Sequence, residues 1–563
     1  MAGQKESLLE HLERIAFFLD LQGENVFKIK AFKTGIEILG GLDEKELFEK
    51  IVDGSLIEAK GIGKGILAVC QEFLKGGSSS ELQRVQENLP EGLFDWRNIS
   101  GLGPKKIKAI YQSLGISTLG ELEYACRENR LVNLPGFGEK SQTKIRAELQ
   151  EFKNRQGKYL LADALATAEE IESKIPKNIA FDQLGDLGAK RPIVEEFKYL
   201  VVYHTQKPSL QLVGQKQPTD RINDAVKNKE IRFKTKDGFP CLFLFRKPEE
   251  RVTRAIFETS HSDHWQSLVN AAQKKNLELN EDHLGGGESP KSEEEFYERL
   301  GLPFHRPEQR ELTARSSLEK ALHEDDLVGV FHAHTLDSDG DATLEQMAKA
   351  AKKRQWKYLG ISEHSKTASY AHGMEEARLT EQWNWIDEWN EKTPDFKILK
   401  GIESDILKDG SLDYSDKILK KFDFVIASIH ARYGQKEMTD RLLRAIENPA
   451  TTMIGHISGR LLLSREAYDF DRQKVVEAAI KHKVVIELNC NPHRLDMDWS
   501  DLVWACEKGL LISVNPDAHS PSGFDDVRFG IWMARKALVP KAQIINTWPI
   551  EKLYKFLNEK KSA

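Results

Sequence analysis

The chain of 563 residues contains no run of eighteen apolar residues, so nothing in it predicts a membrane-spanning helix. It has five cysteines, Cys70, Cys126, Cys241, Cys490 and Cys506, and no C-x-x-C pair. That excludes a disulfide framework and a cysteine metal site, and it suits a reducing compartment. An excess of basic charge is also missing: 82 Lys and Arg stand against 88 Asp and Glu, a formal net charge of −6. The chain as a whole is therefore not a basic coat for nucleic acid, and any such contact must come from local patches or backbone amides. No signal-peptide pattern opens the sequence; M-A-G-Q-K-E-S-L-L-E-H-L-E-R-I-A reads as a charged amphipathic helix, which predicts a cytoplasmic protein. A hydrophobic content of 40% is ample for several cores, and the length predicts roughly three to five domains.

From Leu327 onward the chain carries a series of imidazoles and carboxylates. His332 and His334 stand in V-F-H-A-H-T, Asp339 in D-S-D-G, His364 in S-E-H-S and Glu403 in K-G-I-E-S-D. His430 follows in S-I-H, His456 in I-G-H-I-S-G-R, and Asp517 with His519 in N-P-D-A-H-S. All are ligand types that suit zinc, manganese or iron. Most follow a short apolar run, and helix-like stretches separate the runs, the pattern of buried parallel strands. Ligands at successive strand C-termini gather at one end of a closed barrel, where barrel enzymes keep their active sites. The H-x-H spacing fits, because alternate strand residues face the same way.

In this order the motifs resemble the PHP (polymerase and histidinol phosphatase) domain, and N-C-N-P-H-R-L-D-M-D-W (489–499) resembles the PHP domain fused to bacterial family X DNA polymerases. The resemblance implies a distorted (β/α) barrel holding two or three divalent ions, Mn2+ or Zn2+. It assigns His332, His334, Glu403 and Asp517 to one ion. Glu403, His430 and His456 go to a second, and Asp339, His364 and His519 to a third. Arg460, close after His456, is expected to contact phosphate or to form a salt bridge. Two positions depart from the family: Val330 and Glu363 stand where Asp is usual, which predicts altered support around the ligands and no loss of metal.

Within 1–150 one phrase recurs as A-K-G-I-G-K-G-I (59–66), I-S-G-L-G-P-K-K-I (99–107) and L-P-G-F-G-E-K-S (134–141). The glycine pairs Gly61 and Gly63, Gly101 and Gly103, and Gly136 and Gly138 allow a tight turn with positive φ. Each turn presents free N–H groups at a helix start, a phosphate site, and Lys64, Lys105, Lys106 and Lys140 add charge beside it. The phrase resembles the helix-hairpin-helix of DNA-binding proteins. The position that carries a Schiff-base lysine in some family X members is Val69 here, which does not support lyase activity by that residue.

The family comparison divides the chain into a helical domain at 1–90, a second with two hairpins at 91–157, a nucleotidyltransferase-like palm at 158–260, a terminal subdomain and linker at 261–325, and the metal domain at 326–563. The palm strands are expected in F-K-Y-L-V-V-Y (197–203), L-Q-L-V-G (210–214), I-R-F-K-T (231–235) and F-P-C-L-F-L-F (239–245), and 311–326 reads as a polar helix. A family X palm needs a Gly-Ser loop and three aspartates for two magnesium ions. Here G-D-L-G-A-K-R (185–191) replaces the loop, Glu196 and Lys198 fill the Asp pair, and Leu242 fills the third position. The chain thus reads as a DNA-binding, metal-dependent phosphoesterase acting in repair on gapped, nicked or 3′-ended DNA. The resemblance implies a 3′→5′ exonuclease, with abasic endonuclease or 3′-phosphatase activity as variants, in the bacterial cytoplasm and at the nucleoid when bound. The alternatives are an active polymerase that recruits Glu195 or Asp186, a histidinol-phosphate-type phosphatase, and a non-catalytic DNA-binding scaffold.

Overall fold

The computed structural model describes residues 4–87, 89–99, 101–132, 134–154, 157–203, 229–235, 238–430 and 437–562. The expected strand at 210–214 lies outside them. The chain divides into two compact units, Met1–Gln150 and Glu151–Ala563. No helix among the described residues is long and apolar enough to cross a membrane.

The first unit is helical. Its three glycine phrases share one hydrogen-bond pattern, with Ile62 N donating to Ala59 O, Leu102 N to Ile99 O and Phe137 N to Leu134 O. One residue later Gly63, Gly103 and Gly138 each accept the first bonds of a new helix. Those helices are Lys64–Gly76, Pro104–Leu114 and Glu139–Asn154. Gly61, Gly101 and Gly136 adopt φ of +109°, +89° and +83°, values that a side chain strains. Val69 faces the core at 5% exposure.

The second unit opens with a palm of four strands, β1 (Phe181–Leu184), β2 (Phe197–Val202), β3 (Glu230–Lys234) and β4 (Pro240–Arg246), in the order β1-β2-β4-β3. The helix Pro248–Thr259 packs on it, and the helices Ser262–Lys274 and Glu293–Leu300 carry the next core with Leu268, Phe296 and Tyr297. Residues 311–323 are not the helix that the polar pattern predicts, and only Glu324–Asp326 forms a short 3-10 turn. Ala314 N donates to Ser267 Oγ and Arg315 N to His305 Nε2, so side chains of the preceding subdomain take the backbone bonds a helix would use.

Seven strands then form a parallel barrel, β5 (Gly329–Val330), β6 (Tyr358–Ile361), β7 (Lys397–Asp405), β8 (Phe424–Ser428), β9 (Met453–Ile454), β10 (Val485–Asn489) and β11 (Ile512–Asn515), each paired with the next in sequence. The first and last strands approach through a bridge between Ala333 and Ala518, which nearly closes the ring. The strands are buried on both faces, which explains their near-continuous apolar runs. One ionic knot fastens the barrel to the palm. Lys536, fully buried on the helix Val527–Lys536, donates to Ala189 O at 3.0 Å and Glu311 Oε1 at 3.1 Å, and Arg191 Nε reaches the same Glu311 oxygen at 2.7 Å. An unpaired ammonium there would cost several kcal/mol, so the three charges stand or fall together.

Candidate functional site

The nine imidazole and carboxylate side chains meet at the C-terminal end of the barrel. Glu403, on β7 and 1% exposed, lies in their midst. Its Oε1 is 2.9 Å from His456 Nε2, 3.3 Å from His430 Nε2 and 3.5 Å from His332 Nε2. Its Oε2 is 2.9 Å from His364 Nδ1 and 3.8 Å from His334 Nε2. Asp517 Oδ1 lies 3.3 Å from His332 Nε2 and 3.2 Å from His334 Nε2. The Asp339 carboxylate reaches His364 Nε2 and His519 Nε2, each at 3.3 Å. Three groups have donor atoms close enough to share an ion: His332, His334 and Asp517; His364, Glu403 and His430; and His334, Asp339, His364 and His519. The cluster is thus continuous, with His334 and His364 each in reach of two centres, whereas the family pattern shares only Glu403 between two ions.

The backbone is shaped for these ligands. Asp517 and His456 have φ of +52° and +22°, a conformation that surrounding structure must hold in place. A Cβ on Gly455 would sit 2.3 Å from Ser428 Oγ, so only glycine lets His456 approach Glu403.

Divalent ions fit this donor set. His332 Nε2, both ring nitrogens of His334, Asp339 Oδ2, Glu403 Oε2 and His456 Nδ1 are buried with no hydrogen-bond partner among the described residues. So many unsatisfied polar atoms facing one another are costly unless a cation gathers them. The electrostatics agree. Burial pushes the Glu403 carboxyl up, yet His430, His332 and His364 hold it well below the usual carboxylate range. Burial opposes the charged form of His430, yet Glu403 and Asp405 raise it to about 10.

Several supporting residues escaped the sequence reading. Glu487 Oε1 takes His332 Nδ1 at 2.6 Å, and its Oε2 accepts from His456 N at 2.8 Å. Asp405 Oδ1 takes His430 Nδ1 at 2.5 Å. Both carboxylates fix a ring orientation, the usual support of a metal-binding histidine. The signal was present: Asp405 shares a strand face with Glu403 two residues before it, and Glu487 sits in V-I-E-L-N at a strand end. Glu363 accepts from Thr335 N and Thr335 Oγ1 and from Ser338 Oγ, pinning the loop that joins His334 to Asp339. Val330 is fully buried in the barrel core.

Arg460 forms the salt bridge, the second of its two expected roles. Its guanidinium donates to Arg494 O at 2.9 Å, to Leu495 O and to an Asp498 carboxylate, so its donors tie down the 494–498 loop and do not face the cluster. The cation near the cluster is Arg494, 5% exposed, whose Nε lies 3.8 Å from Asp517 Oδ2.

In the first unit Lys64, Lys105 and Lys140 are exposed beside the hairpin glycines, and among the described residues none is paired with a carboxylate. Lys106 Nζ lies 5.3 Å from the Phe137 ring and links the second hairpin to the third. The helix starts leave amides without intrahelical partners, the geometry that accepts a phosphate oxygen, although Gly138 N–H donates to Ser141 Oγ and Pro104 has no N–H.

In the palm, Lys198 and Leu242 are register partners across β2 and β4, and Arg232 pairs with Leu242 from β3. Lys198 Nζ binds Glu258 Oε2 at 2.9 Å, Arg254 holds the other Glu258 oxygen at 2.5 Å, and Arg232 binds Glu196 at 2.7 Å. Leu242 is 2% exposed. Asp186 is paired with Arg191 at 2.8 Å and Glu195 with Lys158 at 3.0 Å. Among the described residues, no group of three potential metal ligands lies in the palm.

The chain is similar to known proteins over almost its whole length. Residues 331–491 match the PHP domain, 97–151 the SAM-like helix-hairpin-helix tandem and 255–311 the DNA polymerase beta thumb. It is 32% identical over 572 residues to the DNA polymerase/3′-5′ exonuclease PolX of Bacillus subtilis, covering 98% of this chain and 99% of that one. A probable phosphatase of Caldanaerobacter subterraneus is 31% identical over 185 residues, 30% of this chain and 69% of that protein. A probable phosphatase of a Thermoanaerobacter species is 29% identical over 248 residues, 41% and 94% of the two chains.

Proposed function

Because the chain belongs to the bacterial family X DNA polymerases that carry a C-terminal PHP domain, we propose that it is a DNA-bound 3′→5′ exonuclease whose palm does not polymerise. The observation that carries the reading is the nine-ligand cluster around Glu403. Divalent ions held by these residues would supply an acidified water and offset negative charge on a scissile phosphate. The protein's own groups do the rest. Glu487 and Asp405 keep the metal-facing nitrogens of His332 and His430 directed at the cluster. Arg494 adds a positive charge beside Asp517, suited to a phosphate oxygen. The hairpins hold the DNA backbone without reading bases, so the substrate is selected by structure, gapped, nicked or 3′-ended, and not by sequence. Resemblance to probable phosphatases fits the hydrolytic half of this reading, but a small-molecule enzyme gains nothing from three hairpins.

In the palm, the positions that would hold magnesium carry a lysine, a leucine and a glutamate already paired with arginine. The Lys198–Glu258 pair sets a cation where carboxylates would be needed to offset two divalent ions.

His332→Ala and Asp517→Ala are expected to abolish release of 3′ nucleotides while duplex affinity stays at the wild-type level. A labelled primer–template digested with Mn2+, with anisotropy run in parallel, gives both readouts. Wild-type digestion by the purified variants would refute the metal assignment.

A further inference from the structure

A cavity of about 680 Å³ lies where palm, thumb and barrel meet, lined by the edge strand β1, one stripe of the helix Pro248–Thr259, residues 291–293 and 306–308, and the barrel helix through Trp532 and Arg535. Glu196, Lys198 and Leu242 are not in its wall, although Gly188 and Lys190 belong to the 185–191 stretch that replaces the Gly-Ser loop. Arg251, Ala255 and Thr259 face the cavity, whereas Arg254 and Glu258, which seal Lys198, occupy a neighbouring stripe of the same helix.

The charges around it do not balance. Each carboxylate in the wall already has an arginine: Asp182 takes Arg251 at 2.6 Å, Glu308 takes Arg535 at 3.0 Å, and Glu293 takes Arg310 at 2.6 Å. Three cations remain, Lys190, Lys291 and Arg306; among the described residues none of them forms an ion pair, although Glu295 acts on Lys291 through space. Lys190 is half-buried, its Nζ donating to the neutral Gln183 Oε1 at 2.8 Å and lying 5.4 Å from the Trp532 ring. Burial lowers its amine from the usual lysine value, and the more distant Glu308 and Glu172 only partly restore it. A desolvated ammonium on a wall that carries two further cations favours an anion in the cavity. An aromatic ring in the same wall adds a surface that stacks on a base.

We propose that this cavity binds a nucleoside phosphate, with Lys190, Lys291 and Arg306 taking the phosphate and Trp532 packing against the base. The volume is ample for one such ligand. Bound there, it would touch palm, thumb and barrel at once and so stabilise their arrangement by mass action.

Isothermal titration of the full chain with dAMP, deoxyadenosine and inorganic phosphate tests this. One dAMP should bind per chain, phosphate alone more weakly and deoxyadenosine most weakly. Lys190→Met, and separately Lys291→Gln with Arg306→Gln, should each weaken dAMP by about tenfold or more, the cost of removing a charge-assisted hydrogen bond. Without ligand, Lys190→Met should melt no lower than wild type, because it removes a desolvated charge, while the melting shift given by dAMP disappears. A lysine with a merely structural role would lower the unliganded melting point. The surface pair of substitutions decides the matter if Lys190→Met does not fold. Binding of dAMP that survives undiminished in these variants belongs to the metal cluster and overturns the proposal, as does no binding to wild type.

Discussion

At the scale of single residues, the supports of the cluster are as telling as its ligands. Glu487 uses one oxygen for the ring of His332 and the other for the backbone N–H of His456. Asn489 and Asn515 donate to it as well, each at 3.1 Å. In Glu487→Gln the amide oxygen can still accept from His332, but an NH2 then meets the His456 N–H. Two donors would face each other in a dry site. Metal affinity and nuclease rate are expected to fall by about 10- to 100-fold, the usual cost of losing such a support, with an unchanged circular dichroism spectrum. Metal titration followed by calorimetry checks this, and affinity equal to wild type would remove Glu487 from the site's support.

Two elements carry predictions of their own. The hairpins bind through phosphates, so replacing Lys105, Lys106 and Lys140 with Ala should weaken all duplex sequences alike. The slope of log K against log salt should fall by about 0.9 for each phosphate that is no longer neutralised. An unchanged slope in an anisotropy titration would dismiss the hairpin reading.

The thumb is the second element. His264 and His305 are fully buried with ring centroids 5.0 Å apart. Arg315 N–H donates to His305 Nε2, which requires that nitrogen unprotonated. Burial lowers His264 to about 3 and His305 to about 4. The unfolded chain takes up these protons below about pH 6.5 and the folded thumb refuses them. Each histidine's contribution is therefore intact above pH 6.5 and is lost as pH falls toward the folded value, by about 1.4 kcal/mol per unit. Between pH 7.5 and pH 5.0 the wild type should lose about 2 kcal/mol more thumb stability than His305→Gln. Urea midpoints at the two pH values measure the difference, and equal losses would show that His305 is not held neutral.

For the whole molecule, the expectation is that it degrades and does not extend. The His332→Ala chain, given a gapped substrate, four deoxynucleotides and Mg2+ or Mn2+, should add no nucleotide, because degradation can no longer mask synthesis and Lys198 still occupies the palm. Template-directed extension that scales with protein would mean that other acids serve the palm. The palm remains a structural partner even so, since Glu311 holds Arg191 of the palm and Lys536 of the barrel helix in one buried knot.

The sequence by itself determined which imidazoles and carboxylates stand at strand ends and where the hairpins fall, because both rest on short-range rules. A strand fixes which neighbours share a face, so H-x-H after an apolar run already places two imidazoles together. A Gly-x-Gly turn is complete within eight residues, and all three copies form the same bonds. The palm's odd residues were also visible, since a lysine in place of an aspartate needs no fold to be noticed. Tertiary structure alone decided what depends on approach through space. It put His334 and His364 within reach of two centres each. In the sequence Arg460 stands close after His456 and Arg494 far from every ligand position, but the return of the 494–498 loop ties Arg460 to backbone carbonyls and leaves Arg494 at Asp517. It left 311–323 irregular, with Ser267 and His305 taking the amides of Ala314 and Arg315 that a helix would have used. It also gathered Lys190, Lys291 and Arg306, which stand up to 116 residues apart in the sequence, around one cavity. Electrostatic balance is a sum over neighbours in space, and a sequence names the charges without saying which of them will be neighbours.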